Sequence, residues 1–182
     1  MAKKPKPSGY HSPLEKHPDF VRAIGMISIE NASLESMLGE LLGALLGIHL
    51  SVGHTLYFTP KAAIARLDLL TNVADEAIRR HPRVLARVQS IVKRTKAVFG
   101  KRHEIIHSLW AENEFGNTPV SRITFPHWGG EDVDLKVLDG LICDFRKLIE
   151  EVEPLIVEVQ QVRGCGYFPW GPYVSISSML EH

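Results

Sequence analysis

The stretch from residue 19 to residue 47, DFVRAIGMISIENASLESMLGELLGALLG, decides the fold class of this chain. Its apolar residues Val21, Ile24, Ile27, Leu34, Leu38, Leu41, Leu42 and Leu45 return at spacings of three, four or seven. That is the period of a long helix turning one wide apolar face to a core, and Gly47 or the region near Gly53 supplies its stop. Asn31 places a polar group near the middle of the stripe, where a buried network or a site could sit.

The neighbouring segments extend the pattern. Thr59 followed by Pro60 reads as an N-cap with proline at the first helical position, so a second helix is expected there, with Ala63, Leu67, Leu70, Val73, Ala74 and Ile78 facing inward. His81-Pro82 ends it, because the residue before proline is pushed out of the helical region. A third helix is expected from Pro82 to about Glu114, with Val84, Val88, Ile91, Val92, Thr95, Val98, Ile105, Ile106 and Leu109 inward. Gly100 inside it points to a close helix crossing or a small kink. From Phe115 glycines and prolines break the pattern, leaving a loop with room for one strand or a hairpin arm. Asp134 then caps a fourth helix carrying Leu138, Leu141, Ile142, Phe145, Leu148, Ile149, Val152, Ile156 and Val159 inward.

The expectation is therefore an all-α, four-helix bundle with a long loop or short β-arm between the third and fourth main helices. Residues 1–18, with Pro5, Pro7, Pro13 and Pro18, read as a flexible arm; 19–163 form the helical domain; 164–182 read as an irregular tail that packs back on the bundle. Leu180, Glu181 and His182 resemble the start of a purification tag and carry no functional argument.

A length of 182 residues fits one domain with a core of its own. Lysine and arginine total 21 against 21 acidic residues, so net charge supplies no long-range attraction to a polyanion. Cation placement is another matter. Arg79, Arg80, Arg83, Arg87, Lys93, Arg94, Lys96, Lys101 and Arg102 form a basic stripe that reads either as a track for a phosphate backbone or as a solvated helix face. Two cysteines, Cys143 and Cys165, make no disulfide framework and fit a reducing compartment. Residues 34–50, the most apolar window, are interrupted by Glu35, Glu40 and His49 and read as a packed helix rather than a membrane span. A cytoplasmic protein without a membrane partner is expected.

The residues with the most chemistry are Lys101, Arg102, His103, Glu104, Ile105, Ile106 and His107, expected well inside the third helix. Arg102 follows Ile91, Thr95 and Val98 down the inward stripe, where a permanent cation requires an anionic or hydrogen-bonding partner. His103 and His107 are four apart and share a face, and His107 lies ~7.5 Å along the axis from Arg102, a gap a long guanidinium can close. Together they could offer a phosphate-binding cation and an imidazole that moves protons near neutral pH.

At these residues the chain resembles the HEPN superfamily of compact helical domains, whose recognisable element is an arginine, a polar residue, three further residues and a histidine: here Arg102, His103, Glu104 to Ile106, and His107. The resemblance extends to organisation, with Ile24, Gly25 and Ile27 near the start of a long first helix and the motif late in a third. It implies a homodimer that binds RNA and cleaves it without a metal or other cofactor, Arg102 steadying the scissile phosphate, His107 transferring the proton and His103 orienting the site. It equally implies, as the alternative, a catalytically inactive dimerisation or toxin-antitoxin interaction module with a protein partner. Asn31 and Glu35 on the first helix, Lys101, and Trp110 as a shield or stacking surface are the expected supporting residues. Trp110, Trp128, Phe168, Trp170 and Tyr173 are expected mainly to pack, or to form an adhesive loop and tail.

The same residues also spell His-Glu-x-x-His, in which histidines four apart chelate zinc and the intervening glutamate activates water. A zinc peptidase on this pattern would use His103 and His107, take Glu131 or His127 as third ligand with Asp134 behind them, and use Glu104 as base. It would also need a strand-rich portion to hold a peptide, and the sequence offers little.

Overall fold

The computed structural model describes residues 12–112, 118–124 and 129–164. It is mostly helical, and it departs from all-α by a small sheet. In chain order the described elements are a 3-10 turn (Pro13–Lys16), α1 (Pro18–Leu46), α2 (Leu50–Tyr57), α3 (Ala63–Ala77), α4 (Pro82–Ile106), β1 (Leu109–Glu112), β2 (Val120–Thr124), β3 (Gly129–Asp132) and α5 (Leu135–Arg163). The expected arm and tail outside these ranges, with Phe168, Trp170 and Tyr173, lie outside the described residues, as do His127 and Trp128.

Helix ends follow local chemistry. Pro18 and Pro82 open α1 and α4, where a missing N–H costs nothing. Gly47 takes the left-handed conformation (φ 68°) that closes α1. Asp134 caps α5, its side chain accepting the Lys136 N–H at 3.0 Å. The inward residues of these helices meet in one core, with Ile27, Leu34, Leu38, Leu67, Leu70, Val88, Leu138, Phe145, Val152 and Val159 enclosed. α1 is the central helix, packed on α2, α3 and α5.

Two expectations need correction here. Residues 50–57 form a helix of their own, and the next helix begins at Ala63, not at Pro60. The Thr59 hydroxyl does not cap it; it donates back to the Thr55 carbonyl at 3.3 Å. The extra helix exists because α1 and α2 approach backbone to backbone: a Cβ on Gly53 would lie 2.3 Å from the Gly43 Cα, and one on Gly39 would lie 2.9 Å from the His54 Cα. Glycines four apart on α1 open the groove that receives α2. Gly100, by contrast, meets nothing within 4 Å of where a Cβ would be, so no close crossing explains it.

α4 and α5 run antiparallel and are laced by ion pairs at seven-residue intervals. Arg87 pairs with Glu158, Arg94 with Glu151 through two hydrogen bonds of 2.6 and 2.7 Å, and Lys101 with Asp144 at 3.4 Å. Two turns separate each rung, the repeat of a left-handed coiled-coil contact. On the other side Lys96 holds Asp68 of α3 at 2.7 Å. Arg87, Arg94, Lys96 and Lys101 of the basic stripe are therefore paired with carboxylates along the exposed edges of the helix contacts.

The third correction concerns the end of α4. The helix stops at Ile106 rather than near Glu114, and residues 109–112 pair with β2 in an antiparallel ladder, Leu109 opposite Ile123 and Trp110 opposite Arg122. β3 completes the sheet on the far side of β2, so the order is β1-β2-β3. Trp110, only 8% exposed, turns its indole to the Phe20 ring of α1, edge-on with centroids 6.4 Å apart. That contact fixes the strand and takes Trp110 into the core. Among the described residues no single helix is long and apolar enough to cross a membrane.

Candidate functional site

The last turn of α4 carries the motif. Val88, Ile91, Thr95 and Val98 are buried, and Arg102 continues their line. Its side chain is consequently half-buried, with Nε enclosed and without a hydrogen-bond partner among the described residues. No carboxylate among those residues pairs with its guanidinium. His103 and His107 are both exposed, and their rings abut with centroids 4.5 Å apart and planes 49° from one another. His107 is the C-cap, its backbone N–H donating to the His103 carbonyl at 3.1 Å.

At the helical step of about 100° per residue, His103 and His107 stand roughly 100° and 140° around the axis from Arg102. The two imidazoles form an immediate pair, whereas Arg102 starts on the core side. To serve the same ligand, its guanidinium has to reach round the open end of α4, where the chain turns into β1.

Glu104 faces a different partner. Arg122 of β2 donates to Glu104 at 3.0 Å and to Glu131 of β3, which lies directly opposite it in the sheet. The Arg122 side chain is 12% exposed; burial alone would lower its pKa, and the hydrogen bonds to Glu131 and Glu104 outweigh that and hold it above the usual range. This fork ties the sheet to the motif-bearing helix, and the sequence reading missed it. The available signal was position: Val120 is apolar, strand residues two apart share a face, and an arginine on the face of an inward valine needs carboxylates.

Among the described residues the zinc arrangement with Glu131 as third ligand is not assembled, and His127 lies outside them. Glu104 and Glu131 both hold Arg122, Asp134 caps α5, and among the described residues no three His, Cys, Asp or Glu side chains come together to hold a metal. Asn31 and Glu35, expected as supporting residues of the motif, are engaged elsewhere. The Asn31 amide donates to Glu35 at 3.2 Å, and Glu35 is ion-paired with Arg66 of α3, both side chains 13% exposed. Arg66 also donates to the carbonyls of Pro60 and Lys61 and lies over the rings of Tyr57 and Phe58 at 5.8 and 5.2 Å. This cluster clamps the α1–α2–α3 junction. Burial, with Glu35 adding to it and Arg66 opposing, pushes the Tyr57 hydroxyl well above its ordinary pKa. Lys101 is held by Asp144 on the α4–α5 seam.

Beside the motif a shallow groove of about 530 Å³ runs between the 3-10 turn and β1, lined by Ser12, Pro13, Lys16, Leu109 and Trp110. Lys16 and Glu112 close one side of it with a 2.5 Å ion pair, each shifting the other's pKa toward the charged form. No family model matches the chain, and no curated protein or solved structure matches it significantly.

Proposed function

We propose that the protein is a HEPN-like RNA-binding protein that acts as a metal-independent endoribonuclease. One observation supports this reading above the others. Of the cations from residue 94 to residue 102, Arg94, Lys96 and Lys101 each hold a carboxylate, while Arg102 holds none among the described residues and sits beside two exposed, touching imidazoles. A cation kept partly out of water without a counter-charge is poised for an anionic ligand.

In the proposed reaction Arg102 steadies the scissile phosphate. His107 removes the proton of an RNA 2′-hydroxyl as that oxygen attacks phosphorus, and His103 orients the phosphate. The bond to the 5′-oxygen breaks as that oxygen takes a proton from solvent water, and His107 later returns the proton it removed to solvent, leaving a 2′,3′-cyclic phosphate and a free 5′-hydroxyl. The substrate would be met in the cytoplasm, by a homodimer. Because the α4–α5 pairs consume Arg87, Arg94 and Lys101, RNA affinity should rest on few phosphates and show a shallow salt dependence.

The second reading is a catalytically inactive HEPN-like module that binds a partner protein in a toxin-antitoxin type of assembly. The separation of Arg102 from the imidazoles around α4 favours it. Purified protein in chelator, offered RNAs of varied sequence, distinguishes the two. Cleavage to cyclic-phosphate ends, lost in Arg102→Ala and His107→Ala while circular dichroism is unchanged, supports the nuclease. Folded protein that neither cleaves nor binds any of them supports the module.

A further inference from the structure

From residue 77 to residue 103 the chain carries nine lysines and arginines and no aspartate or glutamate. The bundle uses four of these cations: Arg87, Arg94 and Lys101 hold carboxylates of α5, and Lys96 holds Asp68 of α3. Arg102 belongs to the motif. Arg79, Arg80, Arg83 and Lys93 are left over, all four exposed, and none has a carboxylate partner among the described residues.

Three of the four stand together, at the end of α4 away from the motif. Arg79 and Arg80 are the central residues of the turn between α3 and α4, which the His81 N–H closes by donating to the Ile78 carbonyl at 2.8 Å, and Arg83 follows on the first turn of α4. The carboxylates of this end do not answer them: Asp75 accepts from Gln89 at 2.9 Å, Glu158 holds Arg87, and the exposed Glu76 makes no ion pair among the described residues. At about 100° per residue, Lys93 falls on the open arc of α4, between the α5 side marked by Arg94 and the α3 side marked by Lys96. The other exposed residues of that arc before Glu104 are Ala86, Ser90, Ala97 and Gly100, short and uncharged.

Charge and spacing together select the ligand. Three arginines at one end, a lysine about 15 Å along the helix from Arg83 and the imidazole pair about 30 Å along it match a chain of phosphates rather than a single anion. Arginine suits that task, because its planar fork meets phosphate oxygens two at a time. A lipid surface would need apolar side chains beside the cations, and between Ile64 and Leu109 no large apolar side chain is exposed among the described residues. One row of cations on one helix face follows one backbone, which favours a single strand over a duplex.

We propose that the open face of α4 is a track for single-stranded RNA, with Arg79, Arg80 and Arg83 holding phosphates at its far end, Lys93 holding one midway, and the strand arriving at His103 and His107. The inference rests on the RNA reading above and extends it, since it assigns affinity and cleavage to opposite ends of one helix. The three arginines set how tightly a long strand is held and do not touch the bond that breaks. Glu104 ends the open arc with its carboxylate engaged by Arg122, so the strand leaves the arc there on the side of the imidazoles.

The test is fluorescence anisotropy of the full chain with a long unstructured RNA carrying 2′-O-methyl groups, which cannot be cut, alongside cleavage of an unmodified dinucleotide. Arg79→Gln/Arg80→Gln/Arg83→Gln should weaken binding of the long RNA by about tenfold or more and lower the slope of log affinity against log salt by about 0.7 for each arginine removed. Dinucleotide cleavage should not change, because so short a substrate cannot span from the motif to the turn. Lysine at the same three positions should restore the salt slope, and Lys61→Gln/Lys147→Gln, exposed cations off the track, should alter neither measurement. If the triple variant does not keep the wild-type circular dichroism, Arg80→Gln/Arg83→Gln should show two-thirds of the change in slope. Wild type that neither binds the long RNA nor cleaves the dinucleotide removes the RNA reading and this inference together. Wild type that binds RNA, with affinity and slope unchanged in the triple variant, overturns the track alone. So does a variant that keeps its RNA affinity and instead loses binding to phosphatidylserine vesicles.

Discussion

Thr95 and Arg102 occupy the same inward line of α4, and both bring into the protein a polar atom that has no partner among the described residues. Thr95 is fully buried, and its hydroxyl has no hydrogen-bond partner among the described residues. Such a group loses its water and gains nothing in return, so Thr95→Val should raise stability by roughly 1 kcal/mol, read as a higher urea midpoint. A lower midpoint would show that the hydroxyl is bonded, for instance through a water. Arg102 is the more telling case. If its enclosed Nε is retained for a ligand, Arg102→Met should leave the melting temperature unchanged or raise it while abolishing RNA cleavage, the signature of a residue kept for function at some cost in stability. Loss of both together would reduce Arg102 to a structural residue. Its inward phase was legible, because periodicity fixes the direction of a helical side chain. What the sequence hid was which polar groups choose one another: Glu35 lies on the α1 stripe as expected, but Arg66 reaches it and Arg102 does not.

Three capping signals marked their elements correctly, whereas Thr59-Pro60 did not. Gly47 at the end of α1, Pro82 at the start of α4 and Asp134 at the start of α5 stand where the sequence places them. The end of α4 was not legible, since Ile105, Ile106 and Leu109 keep a helical spacing and only the pairing of β1 with β2 overrides it. The α4–α5 ladder was readable and went unread: Arg87, Arg94 and Lys101 repeat at seven, as do Asp144, Glu151 and Glu158 in reverse. Its middle rung gives a pH prediction. The hydrogen bond from Arg94 holds the Glu151 carboxyl below the usual range, so its contribution is complete above the ordinary carboxylate pKa and lost as pH falls through the lowered folded value. Both side chains are well exposed, which limits the pair to roughly 0.2–1 kcal/mol. Glu151→Gln should therefore be slightly less stable than wild type at pH 7, the gap closing in acid; a gap that widens in acid would refute the pairing. Glycine contrasts sharpen the picture of α1. Gly53→Ala should cost about 3 kcal/mol or more, because its Cβ has only backbone to displace. Gly25→Ala, with nothing within 4 Å, should stabilise by roughly 0.5–1 kcal/mol.

At the level of the whole molecule, a helical body carries a small sheet on the end where the motif lies, and Arg122 is the joint between them. The sheet buries little on its own; Val120 and Trp110 are its enclosed residues, while Leu109 is exposed. Its hold on α4 is the fork from Arg122 to Glu104 and Glu131, with Glu104 sitting next to His103 on the last helical turn. Arg122→Ala would leave the two carboxylates without their cation and the strand without its anchor, while α1, α3, α4 and α5 keep their own core. The expected outcome is local: amide hydrogen exchange in 109–112, 120–124 and 129–132 and in the last turn of α4 should accelerate, with local opening free energy reduced by about 1–3 kcal/mol. Exchange in the middle of α1 and α5 should not change. If the whole chain exchanges faster together, the sheet is part of the cooperative core; if nothing changes, the fork is a surface pair and the motif's geometry is set by α4 alone. A local response accompanied by loss of RNA cleavage would identify the sheet as what holds the imidazole pair in place, and Arg122→Lys, which keeps the charge but cannot span two carboxylates in a planar fork, should then rescue neither.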